Sequence, residues 1–202
     1  MEDVQAILDA GRRVLAIGRQ MRGNRVRVNL SVGNFIPKPH TPFQWYPLNS
    51  TDDLQAKIDL LKEGARRSGL KLSYNIPETT LLEAWLSRGD RQLGKVILRA
   101  WQLGAKFDAW GENQNMPIWR QAFNETGLDS NFYAYRERDL DEVLPWDHIH
   151  TGVSKSFLKR DLEWSKQGRT RNDCREQCFA CGILDAFGKE RPVSPLVYWG
   201  CP

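Results

Sequence analysis

Three cysteines near the carboxyl end, Cys174, Cys178 and Cys181 in "DCREQCFACG", stand at i, i+4 and i+7. Whether that stretch turns as a helix or wraps as a loop, the spacing lets three thiols converge on one centre. Thiolates suit zinc and iron–sulfur clusters, both soft enough to prefer sulfur to water. Either metal needs a fourth ligand, and Cys201 is the obvious one. Three thiols that hold no metal are the plain alternative, and a disulfide is disfavoured in a reducing compartment. His148 and His150 in "WDHIHTG" would share a face on a strand. Beside Trp146 and Asp147 they read better as hydrogen-bonded packing residues, and they stay out of the ligand set.

A second group of polar residues lies far upstream. In "RVRVNLSVG" the residues Val26, Val28, Leu30 and Val32 alternate with Arg25, Arg27, Asn29 and Ser31, the period of a strand. Parallel strands covered on both faces read as continuous apolar runs. The polar face therefore fits a barrel wall whose amides and hydroxyls line the lumen, or a half-exposed edge strand. The pattern leaves both open. "NFIPKPHTPFQW" follows, with Pro37, Pro39 and Pro42 fixing backbone angles and forbidding helix. A stiff loop at the carboxyl end of a parallel strand is where α/β folds place ligand contacts. Lys38 and His40 would stand on that rim; a rigid crossover with two solvated side chains is the alternative.

The elements that must hold these residues follow from periodicity. "EDVQAILDAGRRVLAIGRQM" has a helical stripe of Val4, Ile7, Leu8, Gly11, Val14, Leu15 and Gly18, with acids first and arginines later. Ser50 opens a second helix as a cap, with Leu54, Ile58, Leu61 and Ala65 on one face. Gly69 stops it, and "LKLSY" reads as a second strand. Helix, strand, loop, helix and strand in that order suit a parallel α/β layer. From Pro77 the pattern is helical: "TTLLEAWLSRG", "RQLGKVILRAWQLGA" and "MPIWRQAFNETG" each close on a glycine, and another helix is expected over 154–166. The eight tryptophans are core and interface material before they are stacking platforms.

With 202 residues and 41% hydrophobic content the chain can bury a substantial core. A net charge of +4 is compatible with a polyanionic partner without requiring one. No apolar run reaches membrane-spanning length and the amino terminus is acidic, so a cytoplasmic protein without membrane contact is expected. Four cysteines in so long a chain do not make a disulfide framework.

"VRVNLSVGNFIPKPHTPFQW" resembles a late-barrel strand and loop of the radical S-adenosylmethionine proteins, in particular their cobalamin-binding group. "SRGDRQLGKVILRAWQLGAKFDAW", "FYAYRERDLDEVLPWDHIHTGVSKSFL" and the terminal "DCREQCFACG" resemble the carboxyl-terminal region of the same group, in the same order. The resemblance implies an α/β fold: the last units of a partial (β/α) barrel over 1–76, a mostly helical extension over 77–168, and a cysteine-rich metal-binding tail over 169–202. It also implies reductive cleavage of S-adenosylmethionine, and with cobalamin methyl transfer. Asn29, Ser31, Lys38 and His40 would be the cofactor-facing residues. The C-x3-C-x2-C spacing matches the cluster-binding motif of these enzymes. That motif needs a barrel built after it, however, so Cys174, Cys178, Cys181 and Cys201 are expected to hold an auxiliary iron–sulfur cluster, or zinc. Leu184 stands where relatives often carry a further cysteine. The chain has no D-x-H-x-x-G cobalamin signature and no cysteine before Cys174. A radical S-adenosylmethionine and cobalamin portion encoded upstream is therefore the expected partner, and no activity is expected of this chain alone. No residue qualifies as a catalytic acid, base or nucleophile.

The competing reading is a zinc-stapled module that docks RNA or a protein through its tryptophans and the basic run Lys155, Lys159, Arg160, Lys166, Arg169 and Arg171. In either case a metal staple would organise a segment with little core of its own. On that view Cys178→Ala should loosen residues 169–202.

Overall fold

The computed structural model describes residues 1–190. Their contacts divide the chain into two units, Met1–Ile36 with Leu48–Arg136, and Pro37–Pro47 with Glu137–Pro202. The boundaries expected after residues 76 and 168 fall inside the first and second unit respectively.

The first unit begins with α1 (Glu2–Arg22), β1 (Asn29–Val32), α2 (Thr51–Ser68) and β2 (Lys71–Tyr74). The capping residues act as the sequence suggests. Ser50 Oγ accepts the Asp53 N–H at 3.1 Å, and Gly69 ends α2 in a left-handed conformation at φ 70°. β1 and β2 pair in parallel, with Asn29 opposite Lys71 and Ser31 opposite Ser73. Ladder pairing alone does not stabilise two short strands. Burial does: Leu30, Val32 and Leu72 pack with Val26 and Val28 against Leu8 and Leu15 of α1 and Leu61 and Ala65 of α2. Each fully buried leucine contributes about 1.5–3 kcal/mol, so this layer decides the register. Gly11 lets α1 approach closely, since a Cβ there would lie 2.9 Å from Leu30 Cδ2.

The strand is shorter than its alternation suggests. Val26 and Val28 still pack on the apolar side, but Arg25 and Arg27 precede the paired residues. Among the described residues the sheet has these two strands and does not close into a barrel.

The rest of the unit is helical: α3 (Pro77–Arg88), α4 (Leu93–Gln102), α5 (Met116–Thr126) and the short α6 (Ser130–Ala134), which periodicity missed. They enclose Trp85, Trp119, Phe123 and Tyr133. Arg88, fully buried, donates to the carbonyls of Tyr133 and Arg136 at 3.1 and 3.2 Å. A buried guanidinium is tolerable only when its donors are used in this way.

The second unit packs the proline loop on α7 (Lys155–Lys166) around Trp45, Leu144, Trp146, Leu158 and Leu162. Ser154 caps α7, its Oγ accepting the Phe157 N–H at 3.2 Å. One further short helix, α8 (Ile183–Phe187), was not foreseen. Residues 145–148 form a turn and 149–150 are not in a strand, so His148 and His150 share no strand face. Among the described residues no helix is long and apolar enough to cross a membrane.

Candidate functional site

The first candidate is the outer face of the sheet. Asn29 and Ser31 of β1 are exposed, and so are their partners Lys71 and Ser73 on β2. The alternation that sends Leu30, Val32 and Leu72 under the helices must send these four to the other side. Ser73 Oγ donates to the Leu30 carbonyl at 3.4 Å, and nothing in the first unit buries the face. A parallel sheet bare on one side is uncommon, because crossover helices usually cover both.

The second candidate is a cavity of about 290 Å³ inside the second unit, lined by His40, Gln44, Asp147, His150, Ser154 and Lys155 together with apolar side chains. The proline loop holds His40 at φ 57°, a left-handed conformation that costs a residue with a Cβ about 1–2 kcal/mol. Gln44, 2% exposed, over-determines the turn: its Oε1 accepts the His40 N–H at 3.0 Å and the Trp146 indole N–H at 2.6 Å. Thr41 Oγ1 closes the loop on the Lys38 carbonyl at 2.7 Å, and Lys38 does not line the cavity.

Asp147 faces the loop. Its Oδ2 accepts the Leu144 amide at 2.8 Å and Lys155 Nζ at 2.7 Å, and Lys155 Nζ also donates to the Glu142 carbonyl at 2.7 Å. Burial pushes the Asp147 carboxyl up, but the Lys155 hydrogen bond, the Leu144 amide and the charges of Lys155 and His40 outweigh it. The carboxyl is held below the usual carboxylate range. His40 Nε2 is buried with no hydrogen-bond partner among the described residues. The proline loop signalled His40. Asp147 was read only beside the packing histidines and Lys155 only in a basic run, and Gln44 went unread, because Gln44 lies about a hundred residues from the other two.

The third candidate is the cysteine segment. Cys174 and Cys178 are exposed and Cys181 is half-buried, all as thiols. Cys178 Sγ accepts the Ala180 N–H at 3.5 Å, with Ala180 in a left-handed conformation. Asp173 is turned to Arg175, whose hydrogen bonds hold its carboxyl at about 2. Among the described residues no three Cys, His, Asp or Glu side chains are placed to hold a metal. Cys201 lies outside the described residues. As arranged, the three thiols do not fit a metal centre, and no chemistry is assigned to one here.

Arginines and aromatic rings hold this segment among the described residues. The Arg171 guanidinium lies 5.0 Å from the Phe157 ring, 4.2 Å from Trp164 and 5.0 Å from Phe179, and pairs with Asp161. Arg169 stacks over Trp164 at 4.1 Å, and the Ser154 N–H donates to the Cys181 carbonyl at 2.8 Å. Cation–ring contacts contribute about 0.5–2 kcal/mol each, so this cluster can anchor the segment without a metal.

No family model matches the chain, and no solved structure matches it. The uncharacterized protein MJ0966 of Methanocaldococcus jannaschii is similar, 25% identical over 96 residues. The matched stretch covers 48% of this chain and 20% of that protein, so the chain spans about a fifth of its relative's length. Similarity at this level carries no activity across.

Proposed function

We propose that the chain is the carboxyl-terminal portion, or a separate subunit, of a radical S-adenosylmethionine enzyme of the cobalamin-binding type, supplying part of a barrel wall. One observation carries the reading. Two parallel strands joined through a helix bury one face under α1 and α2 and leave Asn29, Ser31, Lys71 and Ser73 bare. Parallel sheets seldom leave a face to water. Further strands that closed the sheet would turn these four side chains toward a lumen, where amides and hydroxyls suit a polar cofactor. When bound, S-adenosylmethionine would supply the radical and cobalamin the methyl group. This chain's residues would bind and orient. An accessory iron–sulfur cluster or zinc on Cys174, Cys178, Cys181 and Cys201 remains part of the reading, and it requires the 174–181 segment to rearrange.

The experiment is anaerobic purification of the tagged full-length chain from its own cells. The expected result is a second polypeptide with cobalamin and iron–sulfur absorbance, and reductive cleavage of S-adenosylmethionine by the assembly. A chain that comes away alone, or with a partner carrying neither group, overturns the reading.

Docking of RNA finds less support. Lys155 pairs with Asp147, Lys159 with Asp141 at 2.6 Å, Lys166 with Glu163 at 2.8 Å and Arg171 with Asp161. Four of the six basic residues thus face a carboxylate. Such pairs add little stability at a surface, but they cancel the field a phosphate backbone would need.

A further inference from the structure

We propose that the His40 cavity of the second unit is a binding site for a neutral vicinal diol, the group presented by a sugar or by the ribosyl end of a nucleoside. The argument is independent of the barrel reading, since every lining residue belongs to the second unit.

The cavity presents one buried, unpartnered nitrogen and one acceptor open to solvent. His40 Nε2 is buried and without a partner. Leaving such a group unsatisfied costs about 1–3 kcal/mol, and the left-handed backbone of His40 adds to the cost. A loop held by the Gln44 and Thr41 hydrogen bonds thus presents a buried, unpartnered nitrogen to the cavity. The open acceptor is Asp147 Oδ1. Both hydrogen bonds that Asp147 accepts fall on Oδ2, so Oδ1, on an exposed residue, is available to a ligand in exchange for water.

The chemistry of the two atoms selects the ligand. A carboxylate oxygen only accepts, whereas an imidazole nitrogen can give or take a proton in a hydrogen bond. A hydroxyl group serves both, and two adjacent hydroxyls can serve both at once. A phosphate or carboxylate ligand could satisfy His40 alone and would be repelled by Asp147. Nor does charge favour an anion, because the Lys155 ammonium already sits 2.7 Å from Asp147 and balances it. A metal is no better served, for no three ligating side chains gather there. Ile149, Val153 and Leu158 provide apolar wall for the C–H face of a sugar ring, and about 290 Å³ is the scale of a small-molecule site.

The test is a titration of the full chain, ¹⁵N-labelled at histidine, followed by NMR at the His40 imidazole. D-ribose locked as its methyl furanoside should shift that resonance saturably, and the 2-deoxyribose methyl furanoside, which has no vicinal diol, should bind about tenfold more weakly. His40→Asn keeps a residue that tolerates positive φ and removes Nε2. It should unfold at or above the wild-type urea concentration, the unsatisfied nitrogen being gone, and lose ribose binding, read from shifts of the residues beside Asp147. Adenosine binding more tightly than ribose assigns the diol to a nucleoside; the reverse assigns it to a free sugar. The proposal is overturned if the ribose furanoside gives no saturable shift or the 2-deoxyribose furanoside binds equally well. It is also overturned if His40→Asn binds ribose unchanged, or if inorganic phosphate moves the His40 resonance as ribose does.

Discussion

The bare sheet face of the first unit and the His40 cavity of the second are both polar, and they are held by opposite means. Asn29, Ser31, Lys71 and Ser73 are positioned by the pleat alone; what fixes them is the apolar residues on the other side of the same strands. The cavity is fixed by its own polar contacts. Gln44 clamps His40 to Trp146, and Asp147 clamps Lys155, in a unit whose core holds Trp45, Leu144 and Leu158. A surface of the first kind tolerates replacement of its polar side chains, since none supports the fold. One of the second kind loses its arrangement when a clamp is removed.

That contrast can be broken most forcefully at the core. Trp45, 2% exposed, shares a core cluster with Leu158 of the cavity wall, and Trp45→Ala should destabilise the protein by about 3–5 kcal/mol in urea unfolding. Ser31→Val on the bare face should change stability by no more than about 0.5 kcal/mol. Comparable losses from the two would erase the distinction.

A smaller effect sharpens the account of the cysteine segment. If the rings around Arg171 anchor it, Arg171→Gln should raise amide exchange over residues 169–182, at a local cost of about 1–2 kcal/mol. Cys178→Ala should leave that exchange unchanged in metal-free protein. The opposite ranking would restore sulfur as the staple.

The smallest expected effect is one of pH. Asp147 has a lowered carboxyl pKa in the folded chain, so the folded state binds its proton less readily than the unfolded state does. The stability it adds is complete above the unfolded value of about 4 and is lost as pH falls through the folded one. Urea midpoints measured downward from pH 5 should therefore fall more steeply for the wild type than for Asp147→Asn. Parallel curves would mean the clamp contributes nothing.

Much of the first unit was legible before its coordinates. The stripe of Leu54, Ile58, Leu61 and Ala65, the Ser50 cap, the Gly69 stop and the alternation of Leu30 with Ser31 are local patterns, and each lies where its period puts it. The cavity was only half legible. Three prolines marked the His40 loop, but Gln44 and Trp146, 102 positions apart, meet through tertiary packing that no short-range pattern encodes. The cysteine segment was legible only as a spacing. Spacing fixes which thiols could converge, whereas the arginine and rings around them decided how the segment lies. Short helices such as α6 and α8, at five residues each, carry too few turns for periodicity to register.

The central claim is that the bare face of β1 and β2 is an inner wall of a larger closed sheet. Ser31→Cys measures it directly, with alkylation at that position read by peptide mass spectrometry in intact cells and on the purified chain. Position 31 should react readily in the purified chain, where it is exposed, and be protected in cells. Equal labelling in both would contradict the claim.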